Sequence, residues 1–463
     1  MERRGRCGFG LGGLWVVLAV AAPVVAQAEP EETGAQQAEA QQTEAQQAEA
    51  QQAEAQQAES KGATRFLGFL RSPTASRASE QAESPEPGLD LPELEKPFEL
   101  ETRVGGALRF NLFFKTWPQP ATIRDTGDNI SFDTFRIDVE SSYGPLRLSA
   151  QYRFYAGFNM LQHGFVGFQA AEVADIQLGV VRAPFGLLPY ASHNWFFGLG
   201  YYVGLEDDHD VGVRVDFDLG VMDLQVAYFA NDEGSYSGSS IDSARYSYDV
   251  VRSDGDEIPA LEAVGGRAVE ERHQGNLRAT VTADHGELGG TEVGLSGQVG
   301  QLHNNTTGAN GRHWAAAVHL LGKYGPVDVM LQASRYVYRQ ALPPEQDGRW
   351  VAMGAYDAPF RVAREAYLFS ANLAYRLEVD WGPLESLTFY EDYSYLRKTI
   401  AGYADTQQST TGMLLHAGPI YAYFDVVLGR NHPWIGPSYS DALAEGGEGA
   451  WEARLNANIG YYF

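Results

Sequence analysis

The chain has 463 residues, with 60 acidic against 34 basic side chains for a formal net charge of -26 and a single cysteine, Cys7. That balance excludes nucleic acid and anionic membrane surfaces as partners, and a cysteine confined to the N-terminal leader excludes a disulfide framework or a thiolate metal site in the remainder. Mean hydropathy is -0.29, yet aromatic residues make up 12% of the chain, a mixture expected of strands with one apolar and one hydrated face.

In chain order, Arg3, Arg4 and Arg6 precede the apolar run LWVVLAVAAPVV and the small-residue site Ala26-Gln27-Ala28. These are the three parts of a secretory signal, assigned to residues 1–28. Residues 29–97 form a low-complexity acidic spacer in which AQQAE units repeat across 35–59. Ala, Gln and Glu favour helix, but a five-residue period keeps no stripe on one helix face, and no large apolar residue supplies a seam. The spacer is therefore expected to be solvated.

From about Thr102 the pattern changes to runs of roughly ten residues with a two-residue period. In TFRIDVESSY, Phe135, Ile137, Val139 and Tyr143 share one parity while Arg136, Asp138 and Glu140 share the other. Sixteen such runs follow, near 104–116, 132–143, 146–156, 161–170, 175–184, 209–217, 221–230, 275–284, 291–302, 312–323, 326–338, 365–378, 385–397, 409–417, 419–429 and 451–463. Short connections such as Gly144-Pro145, Gly325 and Gly418 alternate with long ones at 117–131, 185–208, 231–274, 339–364 and 430–450. Tight turns at one end and extended loops at the other predict an all-β fold, a 16-stranded antiparallel transmembrane β-barrel over 98–463, since closure pairs every backbone group in lipid. The last run, WEARLNANIGYYF, places Trp451, Leu455, Ile459, Tyr461 and Phe463 on the lipid-facing parity.

The chain resembles Gram-negative outer-membrane porins, specifically the phosphate-selective porin O and P-like group. The resemblance lies in IQLGVVRAPFG at 176–186, LEDDHDVGVRVDF at 205–217, LTFYEDYSYL at 388–397, GPIYAYFDVVLGRN at 418–431 and a terminal Phe463 preceded by Tyr461 and Ile459. It implies an outer-membrane location with the N-terminal segment periplasmic, a homotrimer, and a third loop folded into the barrel. That loop reads GLLPYASHNWFFGLGYYVGLEDD at 186–208. Its aromatic content suits packing inside a lumen, and the alternative is a surface loop whose rings join the rim girdle.

If the apolar parity faces lipid, the opposite parity turns Arg109, Lys115, Arg136, Arg147, Arg153, Arg182, Arg214 and Arg278 into the lumen. Glu206, Asp207, Asp208 and Asp210, at the end of the third loop, would face this wall, and the two charge sets would set up a transverse field across a constriction. Alternatively the arginines pair with carboxylates on neighbouring strands, among them Asp138, Glu140 and Asp216. Few lysines and an acidic balance argue against a strong anion filter, although an arginine ladder leaves phosphate open.

LEDDHD at 205–210 offers oxygen ligands to Ca²⁺ but lacks the ligand spacing of a known calcium loop, so no metal and no cofactor are expected. The ten histidines are scattered; His193 and His209, with Ser192 and Asp207, make the one grouping of note, and without a catalytic motif no enzyme is expected. The loop 231–274, acidic and Ser-rich, reads as solvated surface, the one feature suited to a receptor. The expected function is passive diffusion of small hydrophilic solutes and ions through a constricted barrel embedded in outer-membrane lipids. The alternative is a substrate-selective anion channel, and less favoured still is a barrel-based enzyme or receptor.

Overall fold

The computed structural model describes residues 98–118, 129–240, 242–252 and 268–463. The leader, the repeat-bearing spacer and residues 253–267 of one long loop lie outside this set. Nineteen described strands follow in chain order: β1 (Leu100–Lys115), β2 (Ile130–Tyr143), β3 (Leu146–Phe154), β4 (Asn159–Ala171), β5 (Ala174–Arg182), β6 (His209–Asp218), β7 (Met222–Asp232), β8 (Asp249–Val250), β9 (Val269–Asp284), β10 (Gly290–Asn304), β11 (Asn310–Tyr324), β12 (Val327–Arg339), β13 (Trp350–Ala355), β14 (Ala358–Ala363), β15 (Glu365–Trp381), β16 (Leu384–Lys398), β17 (Thr406–Ala417), β18 (Ile420–Arg430) and β19 (Trp451–Tyr462). Sixteen of them form one closed antiparallel barrel, and β8, β13 and β14 form a separate small sheet. Each of the sixteen barrel strands coincides with one of the sixteen alternating runs.

The side-chain period explains the barrel. Along β19, Leu455, Ile459 and Tyr461 point outward and are about half exposed, while Arg454, Asn456 and Asn458 between them are buried inside. Along β10, Leu295 is 64% exposed and its neighbour Ser296 is buried. On β1, Leu108, Phe110, Leu112 and Phe114 face out, and Arg109 and Asn111 face in. Phe132 and Phe135 both face out although they stand an odd three positions apart, because a bulge in β2 sets two residues, Asp133 and Thr134, against the single Arg109 between Leu108 and Phe110 of β1.

Closure is made between the first and last barrel strands, from Ala107↔Tyr462 to Lys115↔Arg454. Beyond them the Phe463 and Gly106 amides exchange backbone hydrogen bonds of 3.0 Å. A Cβ at Gly106 would collide with the Arg136 carbonyl and lie 2.8 Å from the Phe463 ring, so the seam requires glycine there. At the short-turn end Gly144, Gly325 and Gly418 take φ of 58 to 60°, the left-handed conformation that tight turns need.

The long-loop end departs from one expectation. The segment after β7, expected to be solvated surface, is buried from Ser243 to Val251. Tyr246, Tyr248 and Val250 pack on the infolded loop and on Met353 and Tyr356, and β8 pairs with β13. Its Ser- and Asp-rich composition suggested water, but those polar groups are satisfied inside: the Ser247 amide donates to Glu233 Oε1 at 2.7 Å, and Arg245 pairs with Asp232 and Asp249. The connection 339–364 likewise folds inward as the hairpin β13–β14.

Candidate functional site: a loop folded across the lumen

Between β5 and β6, residues 183–208 enter the barrel and are buried almost throughout, with Trp195, Phe196, Phe197 and Tyr201 fully so. This is the infolded third loop, and a solvated rim loop does not describe it. A backbone taken out of water needs partners for every amide and carbonyl, and the inward polar parity of distant strands supplies them. Gly186 N donates to Ser296 Oγ of β10 at 3.0 Å, Leu187 N to Gln332 Oε1 of β12 at 2.7 Å, and Leu199 N to Ser394 Oγ of β16 at 3.1 Å. Asn372 of β15 donates to the Ala191 carbonyl, and Gln408 Nε2 of β17 to the Phe197 carbonyl at 2.7 Å.

The densest attachment is Asp392 of β16. Its carboxylate accepts from His193 N at 2.6 Å, His193 Nδ1 at 2.8 Å, Asn194 N at 2.9 Å and Asn194 Nδ2 at 2.7 Å. Bonds to a charged acceptor contribute roughly 1.5–3 kcal/mol each, so this single side chain anchors the middle of the loop. Sequence reasoning missed these docking residues. The available signal was the run of polar residues at alternate positions on β15 to β17, such as Asp392 and Ser394 within LTFYEDYSYL.

The wall cations all point inward, and aromatic rings cover several of them. The Arg109 guanidinium lies 4.6 Å from the Trp195 ring, 3.3 Å from the Tyr462 hydroxyl and 3.4 Å from Asp133. Arg153 lies 4.5 Å from the Tyr246 ring and donates to Gln151 Oε1 at 2.7 Å. Arg136 sits between Asp138, at 3.2 Å, and the Tyr462 ring, at 5.3 Å. Lys115 is 4.8 Å from the Phe113 ring. Arg147 pairs with Asp175, Arg214 grips Asp216 with two bonds of 2.7 and 2.8 Å, and Arg278 holds Glu292 at 2.6 Å. A further buried cation, Arg454, lies under Phe113 and Phe196; in the sequence it sits on the inward parity of the last strand.

The loop carboxylates Glu206, Asp207, Asp208 and Asp210 are all buried, but they turn in three directions. Asp207 meets the wall, 2.8 Å from Arg182 and 2.6 Å from the Tyr246 hydroxyl. Burial raises its carboxyl above the ordinary value against the pull of the Arg182 guanidinium. Glu206 Oε1 accepts from Ala191 N at 2.9 Å within the loop, and burial pushes that carboxyl up to about 8. Asp208 and Asp210 turn instead to Asp249. The structure thus joins Arg182 to Asp207, pairs Arg136 and Arg214 with carboxylates two residues away on their own strands, and does not set four carboxylates against the whole arginine wall.

On the short-turn side of the loop lies a cavity of about 620 Å³, roofed by Leu187, Leu188, Pro189 and Tyr190. Arg182, Arg214, Arg278 and Lys323 line it together with Glu172, Asp175, Asp216, Asp218, Asp223 and Glu292, so carboxylates outnumber cations. On its other side the loop packs into a large apolar cluster with Tyr248, Tyr338, Met353 and Phe360.

His193 and His209 are both buried and serve different neighbours. His193 Nδ1 is bound to Asp392, and its Nε2 has no hydrogen-bond partner; His209 Nδ1 bonds the Asp207 carbonyl at 3.0 Å. Where a serine does meet a histidine, Ser149 Oγ to His163 Nε2 at 2.8 Å, the other ring nitrogen faces Gln162 Oε1 rather than a carboxylate.

No family model matches the sequence, and no curated protein matches it. Solved structures match the fold. The chain is similar to the outer-membrane channel DcaP of Acinetobacter baumannii, at 13% identity and a TM-score of 0.51, over 79% of this chain and 97% of that one. OmpT of Vibrio cholerae, at 13% identity, and OmpF of Salmonella typhi, at 11%, both have a TM-score of 0.48, covering 79% and 78% of this chain and 98% and 97% of theirs. The likeness to DcaP establishes the fold, a closed 16-stranded barrel of the outer-membrane channel type.

Proposed function

We propose that the protein is an outer-membrane diffusion channel passing small hydrophilic solutes and ions around a loop that narrows its lumen. The observation that carries this is the two-faced barrel: sixteen strands apolar outside and polar inside, around the infolded residues 183–208. A sixteen-stranded cylinder is wide enough for an aqueous path, and closure leaves no backbone group unpaired in lipid. Outer-membrane location, surrounding lipid, a periplasmic N-terminal segment and a homotrimer belong to the same proposal. The environments of His163, His193 and His209 favour transport over catalysis, since among the described residues none of the three combines a nucleophile, base and orienting carboxylate of the kind hydrolysis requires.

On selectivity, the carboxylate excess around the cavity below the loop favours a weak preference for cations. A phosphate filter would need its guanidinium groups exposed along the path, whereas Arg109, Arg136, Arg153 and Arg454 are buried beneath rings.

Planar-bilayer recording with ion-substitution reversal potentials tests the proposal, on the full chain and on Asp392→Ala. The expected results are a small, mildly cation-selective conductance that rises at least about twofold when the loop loses its central anchor. Bilayers that stay silent with both proteins would refute the channel assignment, and a strong anion preference would reverse the selectivity.

A further inference from the structure

Three buried aspartates from two parts of the chain converge at the long-loop end of the barrel interior. Asp208 ends the infolded loop, Asp210 is the second residue of β6, and Asp249 opens β8 in the segment that covers the loop. One carboxylate oxygen of each lies within 4.8 Å of the other two.

Their surroundings supply too little positive charge. The nearby Glu233 and Glu271 add further acid. Arg245 is the cation at hand, and it faces Asp232 at 2.8 Å, Asp249 at 3.2 Å and Glu233 at 3.8 Å. No ion pair reaches Asp208 or Asp210 among the described residues; Asp210 accepts only a long bond of 3.3 Å from Gln274 Nε2. Asp208 is 93% buried, from a residual exposure of 7%; its carboxyl faces that of Asp249, and its Oδ1 has no hydrogen-bond partner among the described residues. A buried carboxylate oxygen left without a donor costs free energy that a folded protein normally avoids, a cost that a cation held between the carboxylates would offset.

We propose that Asp208, Asp210 and Asp249 bind a hard divalent cation of the calcium type, which fastens the infolded loop to the segment 243–251 lying over it. The ligand chemistry fits: all-oxygen and anionic, drawn from carboxylates on a loop and at strand ends, with two more carboxylates close by to satisfy a coordination number of about six to eight. Burial, followed by the Asp249 carboxyl, holds Asp208 well above the ordinary carboxylate range, a penalty that a bound dication removes. LEDDHD alone lacked the spacing of a calcium loop because the third ligand comes from Asp249.

The inference is independent of conductance and is tested without it. The full chain, folded in detergent and stripped with EDTA, is given Ca²⁺ alone; retained calcium is measured by elemental analysis and the heat-unfolding midpoint by gel mobility. Wild type should retain about one Ca²⁺ per chain and unfold at higher temperature with the ion, whereas Asp249→Asn should lose both the ion and the shift. If Asp249→Asn folds poorly, Asp210→Asn serves, and the EDTA-versus-calcium contrast of wild type stands without any variant. Equal retention and equal shifts in wild type and variant would mean adventitious binding to an acidic surface and would overturn the site. So would a wild type indifferent to Ca²⁺, or an Asp249→Asn protein more stable than wild type at every calcium concentration, the mark of carboxyls that share protons instead.

Discussion

His432 acts as a cap within the loop between β18 and β19. Its Nδ1 accepts from the Trp434 and Ile435 amides at 3.1 and 3.2 Å, which leaves Nε2 to donate to Gln408 Oε1 at 3.1 Å. Burial lowers its pKa from 6.5 to about 3, because protonation would both place a charge in an apolar site and set a proton against two N–H donors. The folded-state pKa is depressed, so this contribution to stability is fully present above pH 6.5 and is lost as the pH falls from there toward 3. Amide exchange in a peptide covering residues 431–443 should therefore quicken between about pH 6 and pH 4 beyond the intrinsic change with pH, and His432→Asn should abolish that extra dependence. A variant that kept the wild-type profile would show that another group controls it.

The hairpin β13–β14 illustrates an element whose position depends on its turn. Tyr356 and Asp357 take φ of 50 and 65°, the left-handed pair of a tight two-residue hairpin turn. Asp357 compensates by accepting from the Ser239 and Ser240 amides at 2.8 and 2.6 Å, which ties the hairpin to the segment before β8. Tyr356 also meets the Tyr201 hydroxyl of the infolded loop. The hairpin therefore packs against the loop from the long-loop end and belongs to no barrel strand pairing. Replacing residues 342–362 with a short Gly-Ser linker should remove from the circular dichroism signal no more strand than the small sheet of β8, β13 and β14, while raising unitary conductance about twofold or more, as the long-loop half of the lumen loses its apolar filling. Unaltered conductance would place the solute path away from this sheet.

For the barrel as a body, the decisive property is which medium each face meets. An arginine introduced on the outward face in mid-strand, Leu295→Arg, should cost about 2–4 kcal/mol in a lipid bilayer, read from urea unfolding in vesicles. The Leu295 side chain points outward and is exposed, so the same substitution should be far milder in detergent-free buffer if the protein were an ordinary soluble sheet. A negligible cost in vesicles would contradict the membrane assignment. Closure is equally specific: the seam admits glycine at 106, and any larger side chain there pushes against the Arg136 carbonyl and the terminal phenylalanine.

The barrel was legible in the amino-acid order because the face a strand residue occupies follows from its parity, and Leu455 beside Arg454 records that choice locally. The inward direction of Arg109, Arg136, Arg153, Arg182 and Arg214 followed from the same periodicity. What these groups touch did not. Asp392 meets His193 across 199 residues of chain, Gln408 meets Phe197 across 211, and Asp208 approaches Asp249 although Asp249 stands in a stretch whose composition suggests water. Such meetings exist once the sheet has curled shut and enclosed a space that its long connections must either fill or leave to water. Parity along a strand carries no record of that enclosed space, so the filling of the lumen and the convergence of its carboxylates emerged from the closed fold.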